Sequence, residues 1–154
     1  MKIFFVVIAG CALILGMTYF VVREPVVYPT GEEFIPGKPL ETENIRVLSP
    51  LPGAKIKSPL VVRGEARGTW YFEASFPVRL KDANGKEIAV KPAQADGEWM
   101  TTGFVPFEVT LTFDASAISA VGPSGIKSGT LILEKDNPSA FPEHADSVSL
   151  PIIF

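Results

Sequence analysis

The chain has 154 residues, enough for one domain and a short extra segment, and its apolar fraction of 47% excludes disorder throughout. A net charge of −3 and a pI near 5.2 argue against a nucleic-acid binder, which requires a basic surface. Fourteen prolines and thirteen glycines without a period suit a fold with many turns, and the single cysteine, Cys11, leaves the remainder unable to form an internal disulfide.

Between Ile3 and Val22 no residue is charged, and twelve of the twenty are Ile, Leu, Val or Phe. A helix of that length spans roughly 30 Å, the thickness of the hydrocarbon core. Those twelve side chains contribute about −4 to −7 kcal/mol towards insertion. Residues 1–22 therefore read as an uncleaved membrane anchor. Two other fates compete. Ile8-Ala-Gly-Cys11 has the pattern of a bacterial lipobox, which would lipidate Cys11, although only Ile3 to Ile8 precede it as an apolar core. Simple cleavage lacks a small-x-small site near Val22. Lys2 and the amino terminus precede the run, while Arg23 is balanced by Glu24, so the positive-inside rule keeps the N-terminus in the cytoplasm and the rest outside.

Residues 23–43 form a linker. Pro25, Pro29, Pro36 and Pro39, with Gly31 and Gly37, prevent a helix and favour extended chain. Residues 44–154 form the globular domain. Ile45 to Ser49 is its first strand, closed by Ser49-Pro-Leu-Pro-Gly53. Leu60 to Ala66 is the second. The third alternates, with Phe72, Ala74, Phe76, Val78 and Leu80 on one face and Tyr71, Glu73, Ser75, Arg79 and Lys81 on the other. Pro77 lacks a ladder donor and places this strand at an edge or a bulge. Asp82-Ala-Asn-Gly85 is a tight turn, after which Lys86 to Lys91 returns as the fourth strand.

Pro92 to Gly103 is a loop centred on Asp96-Gly-Glu-Trp99. A fifth strand carries Val105, Phe107, Val109, Leu111 and Phe113 in alternation. Residues 115–127 are a connector, and Gly129 to Lys135 and Ser147 to Ile153 complete seven strands. Seven short strands at this spacing predict an all-β two-sheet sandwich and not alternating β-α units.

In this order the elements resemble the bacterial spore germination immunoglobulin-like domain family. The residues that carry the resemblance are Ser49-Pro50, Gly53, Ser58-Pro-Leu60, Gly64, Ala66, Phe72-Glu73, Phe76, Val78, Leu80, Gly85 and Trp99, followed by the strand through Phe113, Gly129-Thr-Leu-Ile-Leu133 and Val148-Ser-Leu-Pro151. The resemblance covers about residues 44–154. It implies an extracytoplasmic interaction module and supplies no catalytic residues.

The residues read directly point the same way. His144 is the only histidine, so a two-histidine metal site is not available; a Ser-His-Asp triad would have to use that same residue, and the sequence has no Gly-x-Ser-x-Gly elbow, so no cofactor is implied and an enzyme is not expected. Glu143-His144-Ala-Asp146 supplies three metal ligands on paper, but adjacent loop residues rarely converge. Asp82-Ala-Asn-Gly85 begins like a calcium loop without the later acidic ligand, and a hairpin turn accounts for it better. The paired carboxylates Glu32-Glu33 solvate the linker. What remains are the aromatics Trp70, Tyr71 and Trp99, whose rings could anchor a protein or stack on a sugar, or could instead cap the end of the core. The expected function is a membrane-tethered, non-catalytic module engaging a protein or cell-envelope polymer. A structural spacer in a surface assembly and a carbohydrate-binding accessory domain are the alternatives.

Overall fold

The computed structural model describes residues 26–27, 33–34, 37–118, 121 and 125–154. The expected membrane segment and Cys11 lie outside them. Among the described residues no helix is long and apolar enough to cross a membrane, and there is no α-helix at all. A small antiparallel pair, β1 (Val26–Val27) and β2 (Glu33–Phe34), precedes the domain. The domain comprises β3 (Leu40–Glu41), β4 (Ile45–Ser49), β5 (Ala54–Lys55), β6 (Leu60–Arg67), β7 (Ser75–Asp82), β8 (Glu87–Ala95), β9 (Phe104–Leu111), β10 (Ser128–Glu134) and β11 (Ser147–Ile153).

The hydrogen-bonded order is β3-β4-β6-β9-β8-β7-β10-β11-β5. This ladder folds over into two layers. β8 meets β9 through only two residue pairs, Gln94↔Glu108 and Ala95↔Phe107, whereas β6 pairs with β9 over its full length. One layer is therefore β3-β4-β6-β9 and the other β8-β7-β10-β11-β5. Their inner faces follow period-two alternation: Leu60, Val62 and Ala66 from β6, Phe76, Val78 and Leu80 from β7, and Leu131 and Leu133 from β10 are buried in one cluster. The rings of Phe76 and Phe107 cross that core edge to face at 5.0 Å. Gly64 is required for this packing, because a β-carbon there would collide with the Arg46 carbonyl and the Phe107 ring.

Pro77 occupies an interior strand, not an edge; the register of β7 with β8 shifts between Leu80 and Lys81, so this strand carries the irregularity that the missing donor suggested, three residues beyond the proline. It sits directly opposite Pro92, and the β10 register with β7 begins one residue later, at Leu133↔Val78. A pair of prolines fits only a non-hydrogen-bonded site, where both nitrogens point away from each other. On its outer side each proline has no ladder partner to lose. This is also why β8 runs through Pro92 to Ala95, four residues beyond the expected strand end at Lys91.

The alternating third strand breaks at its start. Glu73 and Ala74 have φ of 49° and 61°, and Phe72 and Ser75 exchange hydrogen bonds of 3.0 Å in both directions. Two successive left-handed residues closed this way form a type I′ hairpin turn. Phe72 and Ala74 therefore precede β7, and Phe72 is 41% exposed. At the other end of β7 the turn is as expected: the Asp82 carboxylate accepts the N–H groups of Asn84 (2.9 Å) and Lys86 (3.0 Å), and Gly85 supplies φ of 79°. That carboxylate is thereby committed to its own turn.

On the N-terminal side, β3 pairs with β4 at Leu40↔Val47 and Glu41↔Arg46. The last residues of the expected linker thus add to the sheet.

Candidate functional site

Three loops gather at one end of the two layers: residues 68–74, 96–103 and 135–146. Antiparallel pairing puts them there, because Arg67↔Phe104, Ser75↔Gln94 and Glu134↔Ser147 are the last rungs of their ladders.

Residues 68–71 tie this end to the core. Gly68–Trp70 is a 3-10 turn, which rotates the two aromatics inward. Trp70 is 1% exposed and Tyr71 4%. Trp70 meets Phe76 edge-on at 6.4 Å, and Tyr71 meets Phe76 at 5.2 Å. The Tyr71 hydroxyl donates to the Val105 carbonyl at 2.8 Å, and burial pushes its phenol well above the ordinary range. Its aromatic ring is therefore a core element. The Trp70 indole nitrogen is buried without a hydrogen-bond partner among the described residues. Both residues are candidate partner contacts in the sequence; the structure packs their rings into the core, where they close this end of it.

Trp99 is placed differently. It is half-buried, packs against the edge of the core, and lines a shallow open depression with Gly68, Thr69, Tyr71, Met100, Thr101 and Thr102. Beside it Met100 projects outward, 74% exposed. The loop is held in place from within and from below. Thr101 N–H donates to the Trp99 carbonyl (2.7 Å), Met100 N–H to the Glu98 carboxylate (3.1 Å), and Gly103 N–H to the Thr101 hydroxyl (3.1 Å). Arg67 reaches across to the Thr102 carbonyl with Nη1 and to the Glu43 carbonyl with Nε, both at 2.9 Å, while its guanidinium stacks over Phe104 at 4.7 Å. Gly68 lies so close beneath the Trp99 and Thr101 carbonyls that no β-carbon fits. The depression is thus built before any partner arrives.

The third loop adds Phe141, 56% exposed, which meets His144 edge-on at 6.0 Å. Asp136 N–H donates to the Trp70 carbonyl (3.1 Å), joining this loop to the first. Each of the three loops therefore presents one large exposed apolar side chain: Phe72, Met100 and Phe141. Reading the sequence missed all three. The alternation absorbs Phe72 into a strand, and an isolated apolar residue in a loop carries no periodic signal. Around them stand the carboxylates of Glu73, Asp96, Glu98, Asp136 and Glu143.

The residues with possible metal chemistry do not come together. His144 Nδ1 lies 3.2 Å from the Ser139 hydroxyl, Asp146 accepts from the Asn44 amide at 3.4 Å, and among the described residues no group of three potential ligands could hold an ion.

A family model, the immunoglobulin-like domain of bacterial spore germination, matches residues 44–122, just over half of the chain. The chain belongs to this family. The match begins at β4 and ends in the connector before β10, so the two final strands of the immunoglobulin-like domain lie beyond the matched segment. No curated protein and no solved structure matches the chain. The family is consistent with a non-catalytic interaction module, and it supplies no site residues to compare with the three-loop end.

Proposed function

We propose that the protein is a membrane-tethered, non-catalytic interaction module of the cell exterior, and that it engages a protein or cell-envelope partner through the loop end bearing Trp99, Met100, Phe72 and Phe141. The observation that carries this reading is the preformed state of the depression. Its floor is fixed by Gly68 and Arg67, so binding need not order the loop, and a half-buried Trp beside an exposed Met is the kind of anchor that interfaces use. The apolar run from Ile3 to Val22 supports the tether, and Lys2 the outward orientation of the domain.

Of the three rings that favoured a carbohydrate, two are core, leaving Trp99 alone as a stacking surface. A flat sugar-binding platform is the weaker reading for that reason.

The test uses the full chain extracted in detergent. Binding to isolated envelope fractions, separated into protein and polymer, should be retained by the wild type and lost in Trp99→Ala and Met100→Ser without loss of thermal stability. Undiminished binding by both variants would contradict the assignment of this end. Resistance to carbonate extraction from membranes checks the tether separately.

A further inference from the structure

The opposite end of the domain carries the opposite charge, and we infer that it is a docking rim for the anionic phospholipid surface of the membrane that holds the tether. The inference rests on the tether proposed above. At the Trp99 end the side chains of Glu43, Glu73, Asp96, Glu98, Asp136, Glu143 and Asp146 outnumber Arg67 and Lys135 by seven to two. At the far end stand Lys55, Lys57, Lys86 and Lys127, all exposed and none in an ion pair among the described residues. Two of the carboxylates nearby are engaged: Asp82 is buried and closes its own turn, and Glu87 pairs with Arg79 at 2.7 Å. Asp114 stays an exposed anion, held below the ordinary carboxylate range by the Ser116 hydroxyl and N–H, so among the described residues of this end the four lysines face one exposed carboxylate outside an ion pair.

Sheet register places these lysines on one rim. Lys55 on β5 pairs with Ile153 of β11, which pairs with Ser128, the neighbour of Lys127. Gly129 pairs with Asp82, whose N–H donates to the Lys86 carbonyl at 2.9 Å. From β5 to the β7-β8 hairpin is four strand spacings, roughly 20 Å. Ile126, exposed beside Lys127, and Val121 add apolar side chains to the same end. Lysines with interspersed apolar side chains suit the headgroup boundary of an anionic bilayer.

The direction of the chain fits this. β3 runs antiparallel to β4 and so heads from the lysine end towards the Trp99 end, which puts the residues immediately before Leu40 on the lysine side. A lysine rim on the bilayer turns the acidic, Trp99-bearing end away from it, where a partner can reach it.

The experiment is hydrogen exchange on the full chain reconstituted in nanodiscs of phosphatidylcholine alone or with phosphatidylglycerol. The expected result is several-fold slower exchange of residues 54–57 and 83–86 in the anionic discs only, with 96–103 unchanged. The protection should vanish in high salt, which shortens the screening length to about 3 Å, and in a variant combining Lys55→Glu, Lys57→Glu, Lys86→Glu and Lys127→Glu. The single Lys127→Glu, with 96–103 as an internal fold control, should lose part of it. Equal exchange in both lipids, with the chain recovered in both discs, would overturn the rim and leave the tether intact. Failure to recover the chain with either disc would contradict the tether. Slowed exchange on adding anionic vesicles to that free chain would then still uphold the rim, and unchanged exchange would overturn it.

Discussion

The main-chain carbonyl of Trp99 closes directly over the α-carbon of Gly68, with no room for a side chain between them. A glycine in the 3-10 turn after β6 thus sets the height of a loop thirty residues further along the chain. Gly68→Ala must push that loop away. Overpacking of this kind costs about 1–3 kcal/mol. The expected outcome is a matching loss of stability in denaturant unfolding and faster hydrogen exchange over residues 99–103.

Trp70 is buried in the core against Phe76. Trp70→Ala should cost about 3–5 kcal/mol, as truncation of large aromatics does. Trp70→Phe is expected to cost less than about 1 kcal/mol, since it also removes an indole N–H that has no acceptor among the described residues. Equilibrium unfolding of the two variants checks this; equal destabilisation by both would mean that the indole nitrogen finds a partner.

Tyr71 couples stability to pH. Burial raises its folded pKa above the unfolded value of about 10. The neutral phenol is therefore favoured by the fold, and the stabilisation is complete below pH ~10 and lost as pH rises from there towards the folded value. Tyr71→Phe should lower stability at neutral pH by about 1–2 kcal/mol, through the lost hydrogen bond to Val105. It should also flatten the decline above pH ~10. Urea unfolding of both proteins across that range measures it.

The hairpin turn at Glu73-Ala74 puts two side-chain-bearing residues in the left-handed region. Each such residue costs about 1–2 kcal/mol relative to one that tolerates it. Glu73→Asn with Ala74→Gly supplies the pair that type I′ turns prefer. The double variant should be more stable than wild type by about 1 kcal/mol in thermal or denaturant unfolding.

That turn also marks the boundary of what the sequence made legible. Strands β6, β9 and β10 were readable because their inner and outer residues alternate without interruption, and β4 and β11 because theirs alternate as far as Val47 and Leu150. The start of β7 was not, since Phe72 and Ala74 continue the alternation on paper while Glu73-Ala74 carries none of the Asn or Gly that announces a turn. Pro92 hid the second half of β8, because its pairing with Pro77 depends on a partner strand fifteen residues away. At the site, Trp99 stood out as a large ring in a long loop. Met100 and Phe141 did not, and the lysine rim is invisible along the chain because its members come from separate turns that only the sheet brings together.

The role of the three-loop end is tested most directly by photo-crosslinking from a single position. The full chain carrying a photoreactive residue at Met100 is irradiated in intact cells, alongside one carrying it at Val90, an exposed site on β8 away from the loops. A discrete adduct from position 100 that is absent from position 90, and that disappears when Trp99→Ala is added, is the predicted result. No adduct from position 100, or the same adduct from both positions, would contradict a binding role for the Trp99 end.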